Sequence, residues 1–341
     1  MSSDREFMLE ALALAQMGWG LTNPNPMVGA VIVKDGKIIG RGFHRKAGEA
    51  HAEINAINDV KRQNIDLSGA TIYVTLEPCS TYGRTPPCTE AIIANKLSRV
   101  VIGSLDPNPK HNGKAVEILR THNIEVEYGV ESAACNELNR PFFCWVTTGK
   151  PLVILKMAMT LDGNIATATG DSKWVTGTAA RKRVQQLRRL CDAIIVGANT
   201  VRIDHPQLTV REPESWERQP LRVVASSNFS QKELEEFFPD GNAVGVDLST
   251  REKWDVFLRK LGERKMTAVL LEGGGELAGS ALRAGVVDYV EFHIAPKILG
   301  GAGRPVTGGT APELMSQALM LKNMEIKQYG DDIAVCGYLK A

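Results

Sequence analysis

His51, Glu53, Cys79 and Cys88 are the residues of this chain whose types and spacing point to joint chemistry. One imidazole and two thiolates suit zinc. Three protein ligands leave its fourth tetrahedral position to a water, as in catalytic rather than structural sites. Glu53 is then a carboxylate that moves protons at that position, not a ligand. Residues two apart inside a helix point about 200° away from each other, given a step of ~100° per residue. Both can address one point only from the first turn, so the pair predicts a helix N-terminus at residue 51. His-Ala-Glu alone is a weak motif, and its weight comes from Pro78-Cys79 and Cys88 downstream.

Positioning these groups requires a sheet. Residues 4–14, with Phe7, Leu9, Leu12, Ala13 and Leu14 behind Asp4, Arg5 and Glu6, read as an amphipathic opening helix stopped near Gly18 and Gly20 with Trp19 packed on it. Thr22-Asn23-Pro24-Asn25-Pro26 cannot be helical, because proline removes donors and extends its predecessor. This rigid loop, either a capped turn or a pocket wall carrying Asn25, feeds a strand at 28–33. Asp35-Gly36 marks a hairpin into 37–40. A polar loop, 42–50, then brings His44 toward His51, and a helix over 51–60 follows.

The β-branched run 70–76 reads as a strand whose end throws Cys79 into a loop. Cys88 opens a helix over 90–96, a location that favours its thiolate. Zinc deaminases acting on nucleobases share a His-x-Glu and a Pro-Cys-x-x-Cys signature with two residues between the cysteines; here there are eight, 80–87. Strands at 99–102 and 124–128 and helices at 116–121 and 132–139 complete five strands interleaved with helices, a three-layer α/β arrangement.

A length of 341 residues suits two domains. The polar break Thr147-Thr148-Gly149-Lys150-Pro151 sets expected bounds of 1–147 and 148–341. Lys plus Arg number 40 against 39 Asp plus Glu, so the basic excess of a nucleic-acid binder is missing and a small substrate is favoured. No apolar run has signal-peptide or membrane-span length. A cytoplasmic protein is expected, without nucleic-acid or membrane partners, and with Cys135, Cys144, Cys191 and Cys336 as buried reduced thiols.

The second half opens with a continuous apolar strand, 152–158, interrupted by Lys156, whose charge either snorkels or serves a site. A turn at 161–164, a helix over 178–190 and a strand at 193–197 follow. A loop from Thr200 to Arg211 mixes hydroxyl, carboxylate and arginines. Further short strands are expected at 221–225, 243–246, 267–271 and 286–294, and a last one at 333–338. Glu272-Gly273-Gly274-Gly275 lies between a strand and a helix, either a tight turn or a place where backbone amides meet a phosphate. It is neither a Rossmann Gly-x-Gly-x-x-Gly nor a P-loop.

Residues 23–29, 51–53 and 76–88 resemble the bacterial bifunctional deaminase/reductase family of riboflavin biosynthesis, whose own pattern has the eight-residue gap. The Thr-Leu-Asp-Gly near Asp162, the Asp204-His-Pro loop and the Glu-Gly-Gly-Gly loop resemble its reductase half. The resemblance implies an N-terminal cytidine-deaminase-like three-layer α/β/α domain and a C-terminal dihydrofolate-reductase-like α/β domain. The implied cofactors are Zn²⁺ and NADPH. It further implies substrate contacts at Asn25, His44 and Arg84, with Arg84 standing where some relatives have Lys and otherwise an ordinary loop charge.

In the second half it implies cofactor contacts at Ala158, Trp174, Thr200, Asp204, Ser227, Gly274, Gly275, Glu276, Leu277, Ala278, Gly279 and Ser280. Substrate contacts are implied at Ser172, Arg188, Leu208, Arg211 and Glu272, and Lys156 is counted with them. Trp174 and Leu208 are equally residues that pack cores. The implied substrate is a pyrimidine ribotide, 2,5-diamino-6-ribosylamino-4(3H)-pyrimidinone 5′-phosphate, and a homo-oligomer, dimer or tetramer, is expected. The competing readings are a reductase with a degenerate deaminase half and a zinc-containing binding protein.

Overall fold

The computed structural model describes residues 3–82, 86–109 and 111–339. The chain divides into two compact units, Met1–Thr148 and Gly149–Ala341.

In the first unit, α1 (Asp4–Gln16), β1 (Gly29–Lys34), β2 (Lys37–Phe43), α2 (Ala52–Arg62), β3 (Thr71–Leu76) and α3 (Cys88–Ala94) are followed by β4 (Arg99–Ser104), α4 (Lys114–Thr121), β5 (Glu125–Tyr128), α5 (Ser132–Leu138) and α6 (Arg140–Thr148). The sheet order is β2-β1-β3-β4-β5. The hairpin partners are antiparallel, whereas β3, β4 and β5 run parallel. Successive side chains alternate between the faces of a strand. Ala30 and Ile32 join Ala56, Ile57 and Ile92 in one core layer, while Val31 and Val33 join Phe7, Met8, Leu12 and Cys135 in another. The three layers follow from that alternation. The opening helix buries Phe7, Met8, Ala11, Leu12 and Ala15, whereas Leu9 and Ala13 face outward, so its stripe is rotated from the expected one. The cause is close approach: a Cβ on Gly29 would stand 2.0 Å from the Ala11 carbonyl oxygen.

The second unit contains β6 (Leu152–Thr160), β7 (Asn164–Ala166), α7 (Thr178–Leu190), β8 (Ala193–Gly197), α8 (Ala198–Asp204), β9 (Leu221–Ala225), α9 (Gln231–Phe237), β10 (Ala243–Val246), α10 (Arg251–Glu263), β11 (Ala268–Glu272), α11 (Gly275–Arg283), β12 (Tyr289–Ala295), β13 (Arg304–Pro305), β14 (Lys322–Tyr329) and β15 (Asp332–Tyr338). Its main sheet has the order β10-β9-β8-β11-β6-β12-β15-β14, parallel from β10 to β12 and antiparallel beyond. Val153, Leu155, Val269, Leu271 and Val290 pack with Trp254 and Phe257 of α10 in the core. The alternate residues Lys156, Glu272 and Glu291 therefore project from the opposite face.

Residues 198–204 form a helix rather than part of the expected loop. The last strand, expected at 333–338, spans 332–338 and pairs between β12 and β14. Cys135, Cys191 and Cys336 are buried, Cys144 is only half-buried, and none of the six cysteines is in a disulfide.

Candidate active sites

In the first unit, His51 is the N-cap of α2, so Glu53 lies in the first turn as the spacing required. Cys79 follows the end of β3, and Cys88 begins α3. The His51 Nδ1 stands 3.5 Å from Cys79 Sγ and 3.3 Å from Cys88 Sγ. All three donor atoms lie within 4.8 Å of one another. Zinc–nitrogen and zinc–sulfur bonds of about 2.0 and 2.3 Å at a tetrahedral angle put N and S about 3.5 Å apart, so the donor set fits the metal. The Cys88 backbone N–H donates to Cys79 Sγ over 3.2 Å, fixing the two thiols relative to each other. The Cys88 thiol and then the His51 imidazole pull the Cys79 thiol well below its ordinary value. Glu53 is 3% exposed, and burial, with the negative Cys79 beside it, raises its pKa. A raised carboxyl is suited to taking a proton and returning it.

The shell around this centre is built by amides. Asn25 Nδ2 is 3.2 Å from His44 Nε2, and His44 Nδ1 is 3.2 Å from the Ala50 carbonyl. The Nδ1–H donor role follows, leaving Nε2 to accept from Asn25. Burial lowers the His44 pKa, which favours this neutral form. The His44 and His51 rings meet edge to face at 5.5 Å. Asn139 exchanges two hydrogen bonds with the Met27 backbone, 2.7 and 2.8 Å, and so holds the Asn25 loop. Glu77 is buried and accepts from the backbone N–H groups of Asp106, Gly113 and Ala115. It ties the end of β3, two residues before Cys79, to the 106–115 segment. Neither Asn139 nor Glu77 belongs to a motif that marks it in the sequence. An acidic residue at a strand end beside a metal ligand was the available signal for Glu77. Arg84 lies outside the described residues.

In the second unit a cavity of about 1130 Å³ opens at the ends of the parallel strands. Ala158, Trp174, Thr200, Asp204, Ser227, Gly274, Gly275, Glu276, Leu277 and Ser280 line it, as do Lys156, Ser172, Arg188, Arg211 and Glu272. Arg188 grips Glu272 with a fork, Nε to Oε1 at 2.9 Å and Nη2 to Oε2 at 2.7 Å, and gives Nη1 to the Thr209 carbonyl at 3.0 Å. Burial opposes the Glu272 charge, but Arg188 and Lys156 outweigh it and lower its pKa.

Trp174 is 66% exposed with Arg181 stacked 4.7 Å from its ring, so it is a cavity wall rather than core. Leu208, at 3% exposure, is core. Ala278 is buried, and a Cβ on Gly279 would stand 1.9 Å from the Gly308 carbonyl oxygen. Ala278 belongs to the core and Gly279 packs α11 against Gly308, and neither lines the cavity. At Gly274, by contrast, the nearest atom to an added Cβ is Thr200 Oγ1 at 3.6 Å, so the N-cap of α11 is an open cradle. That cradle at a helix N-terminus, in a cavity also lined by Arg202, Arg283 and Arg304, suits a phosphate-bearing dinucleotide.

A family model described as the RibD C-terminal domain matches residues 151–335, and one described as the cytidine and deoxycytidylate deaminase zinc-binding region matches residues 1–104. The riboflavin biosynthesis protein RibD of Actinobacillus pleuropneumoniae is 42% identical over 97% of this chain and 94% of its own length. The chain belongs to the RibD family. RibD of Aquifex aeolicus is 39% identical, with 97% of each chain covered. Among solved structures, Acinetobacter baumannii RibD superposes with a TM-score of 0.86 at 38% identity. A Thermotoga maritima diaminohydroxyphosphoribosylaminopyrimidine deaminase/5-amino-6-(5-phosphoribosylamino)uracil reductase does so at 0.87 and 38%, each covering 98% of both chains. This RibD chain is accordingly a bifunctional riboflavin-biosynthesis enzyme, a deaminase and a reductase, and it uses zinc and NADPH. Among the described residues, no helix is long and apolar enough to cross a membrane.

Proposed function

We propose that residues 1–147 hydrolyse the amino group of 2,5-diamino-6-ribosylamino-4(3H)-pyrimidinone 5′-phosphate and that residues 148–341 reduce its ribosyl group to ribityl. The observation that carries this reading is the three-donor set His51, Cys79 and Cys88 with the buried Glu53 carboxyl beside it. Bound zinc supplies an acidified water, and NADPH supplies the two-electron reduction. The residues do the rest. Glu53 takes one proton of the attacking water and delivers it to ring nitrogen, then carries the second, from the hydroxyl now on carbon, to the amino group as it leaves as ammonia. Asn25 and the neutral His44 hold the pyrimidine, and Arg84 meets the phosphate.

In the second unit, the open Gly274 cradle and Thr200 take the cofactor phosphates, with Ala158, Trp174, Asp204, Ser227 and residues 275–277 and 280 along its length. Lys156, Ser172, Arg188, Arg211 and Glu272 hold the ribotide. Leu208, Ala278 and Gly279 act behind these contacts by packing. We place the enzyme in the cytoplasm as a homo-oligomer, dimer or tetramer, without nucleic-acid or membrane partners. Six cysteines outside any disulfide and the near-balanced charge support that placement.

Glu53→Gln tests the reading. The variant should keep its zinc and lose ammonia release by about 10²–10⁴-fold, while NADPH oxidation on supplied deaminated ribotide continues. Loss of both activities together would overturn the two-site assignment.

A further inference from the structure

Lys156 is a lysine placed in the middle of a sheet, where burial lowers its pKa and the carboxylates of Glu272, Glu291 and Asp332 oppose that fall. The parallel register sets Glu272 of β11 opposite Lys156 on one side and Glu291 of β12 opposite it on the other. All three project from the face opposite the Trp254 core. Each flanking carboxylate is clamped by an arginine of α7. Arg188 forks onto Glu272, and Arg183 forks onto Glu291 through Nε and Nη2, both at 3.0 Å. Glu272 faces the cavity, whereas Glu291 is fully buried and does not line it.

Cys336 of β15 stands opposite Glu291, its thiol pushed up by burial, and Lys327 of β14, which Arg183 feels through space, is paired with Glu325. His293 Nε2 lies 2.9 Å from Glu291 Oε1, and its Nδ1 has no partner among the described residues. Asp332, at the start of β15, is buried and accepts from the Gly177 N–H. Tyr329 of β14 stacks its ring 5.5 Å from His293, and Arg211 reaches Glu272 only through space. With His293 neutral, three cations (Lys156, Arg183 and Arg188) face three carboxylates (Glu272, Glu291 and Asp332). A buried cluster of this kind is tolerated only when the charges balance.

We propose that Glu291, which no substrate can reach, is a positioning residue for the reductase: it keeps Lys156 protonated and directed into the cavity, where the ammonium holds the ribotide. This rests on the reading of Lys156 as a substrate contact. Arg183 belongs to the same device, because it fixes the Glu291 carboxylate beside the lysine.

Removing the Glu291 charge leaves the row one positive charge in excess, which favours loss of the Lys156 proton. Glu291→Gln in the full chain should therefore move the alkaline limb of reductase kcat/KM to lower pH by about one unit, a tenfold loss above the limb. It should also weaken binding of the deaminated ribotide measured without NADPH. NADPH affinity and ammonia release should be unchanged. Arg183→Lys, which keeps the charge, should leave the limb in place. In a Lys156→Met background, Glu291→Gln should have no further effect on ribotide affinity.

A Glu291→Gln profile that coincides with the wild type, beside a damaged Lys156→Met, overturns the proposal alone. A Lys156→Met protein with wild-type ribotide affinity overturns the reading beneath it. Should Glu291→Gln not accumulate as folded protein, Glu291→Asp carries the test: withdrawing the carboxylate by one methylene should move the limb the same way by less, and an unmoved limb overturns the proposal.

Discussion

The two sites use charge differently at the level of single residues. At the zinc site every group lies within three residues of an element end, which is why His51, Glu53, Cys79 and Cys88 were legible. Glu291 was not, although Tyr-Val-Glu-Phe-His-Ile carries the same signal as Lys156, a charge at a strand position. Its partners come from α7 and β6, and that neighbourhood depends on strand register rather than local spacing. The same residue makes a prediction for acid stability. Burial would raise the Glu291 pKa, but His293 and Arg183 outweigh it and lower the value from 4.5 to about 2. A carboxylate depressed on folding contributes stability above its unfolded value, and that contribution disappears as pH falls toward the folded value. Denaturant unfolding of the second unit should therefore weaken between these two values, by on the order of 3 kcal/mol from this group. Glu291→Gln should show a shallower fall over the same interval.

Close backbone approaches decide which helix faces are buried, and this was the least legible part of the fold. Gly42 of β2 is one such point, since an added Cβ would stand 2.3 Å from both the Ala52 carbonyl oxygen and the Ala56 nitrogen of α2. Because α2 begins at the His51 cap, a side chain at Gly42 pushes on the helix that carries Glu53. Gly42→Ala should cost about 1–3 kcal/mol of stability in the first unit. The same variant should reduce ammonia release and spare NADPH oxidation, which thermal unfolding and the two separate assays would check. The strand β14 escaped the sequence reading because Lys-Asn-Met-Glu-Ile-Lys-Gln-Tyr carries polar residues on both faces and buries little of either. A seven-residue helix such as α8, with Asn199 and Thr200 in its first turn, likewise offers too short a period to recognise. By contrast, 178–190, 193–197, 221–225 and 243–246 agree with the observed bounds to the residue, since each is a continuous periodic run between turn signals.

For the molecule as a whole, the two units carry their chemistry on separate sheets. Chelation of zinc should abolish ammonia release and leave NADPH oxidation on deaminated ribotide intact, with metal content followed alongside. Mixing Glu53→Gln with Lys156→Met should restore overall conversion, because each protein keeps the site the other has lost. No conversion in the mixture would refute independent sites. The outer strand β14 exposes Met324 and Ile326, alternate residues on one face, with Met315 and Met320 preceding them. Such a surface on a sheet edge is a template for association. Ile326→Lys should therefore lower the solution mass measured by light scattering. The covalent join at Thr148 and Gly149 also has a metabolic consequence. Every translated chain delivers one copy of each catalyst, so expression level cannot alter their ratio. The standing concentration of the deaminated intermediate is then governed by the relative kinetic constants of the two halves. A weakening of the reductase half, at Lys156 or Glu291 for instance, raises that pool, and synthesis of more enzyme leaves the imbalance between the two halves unchanged.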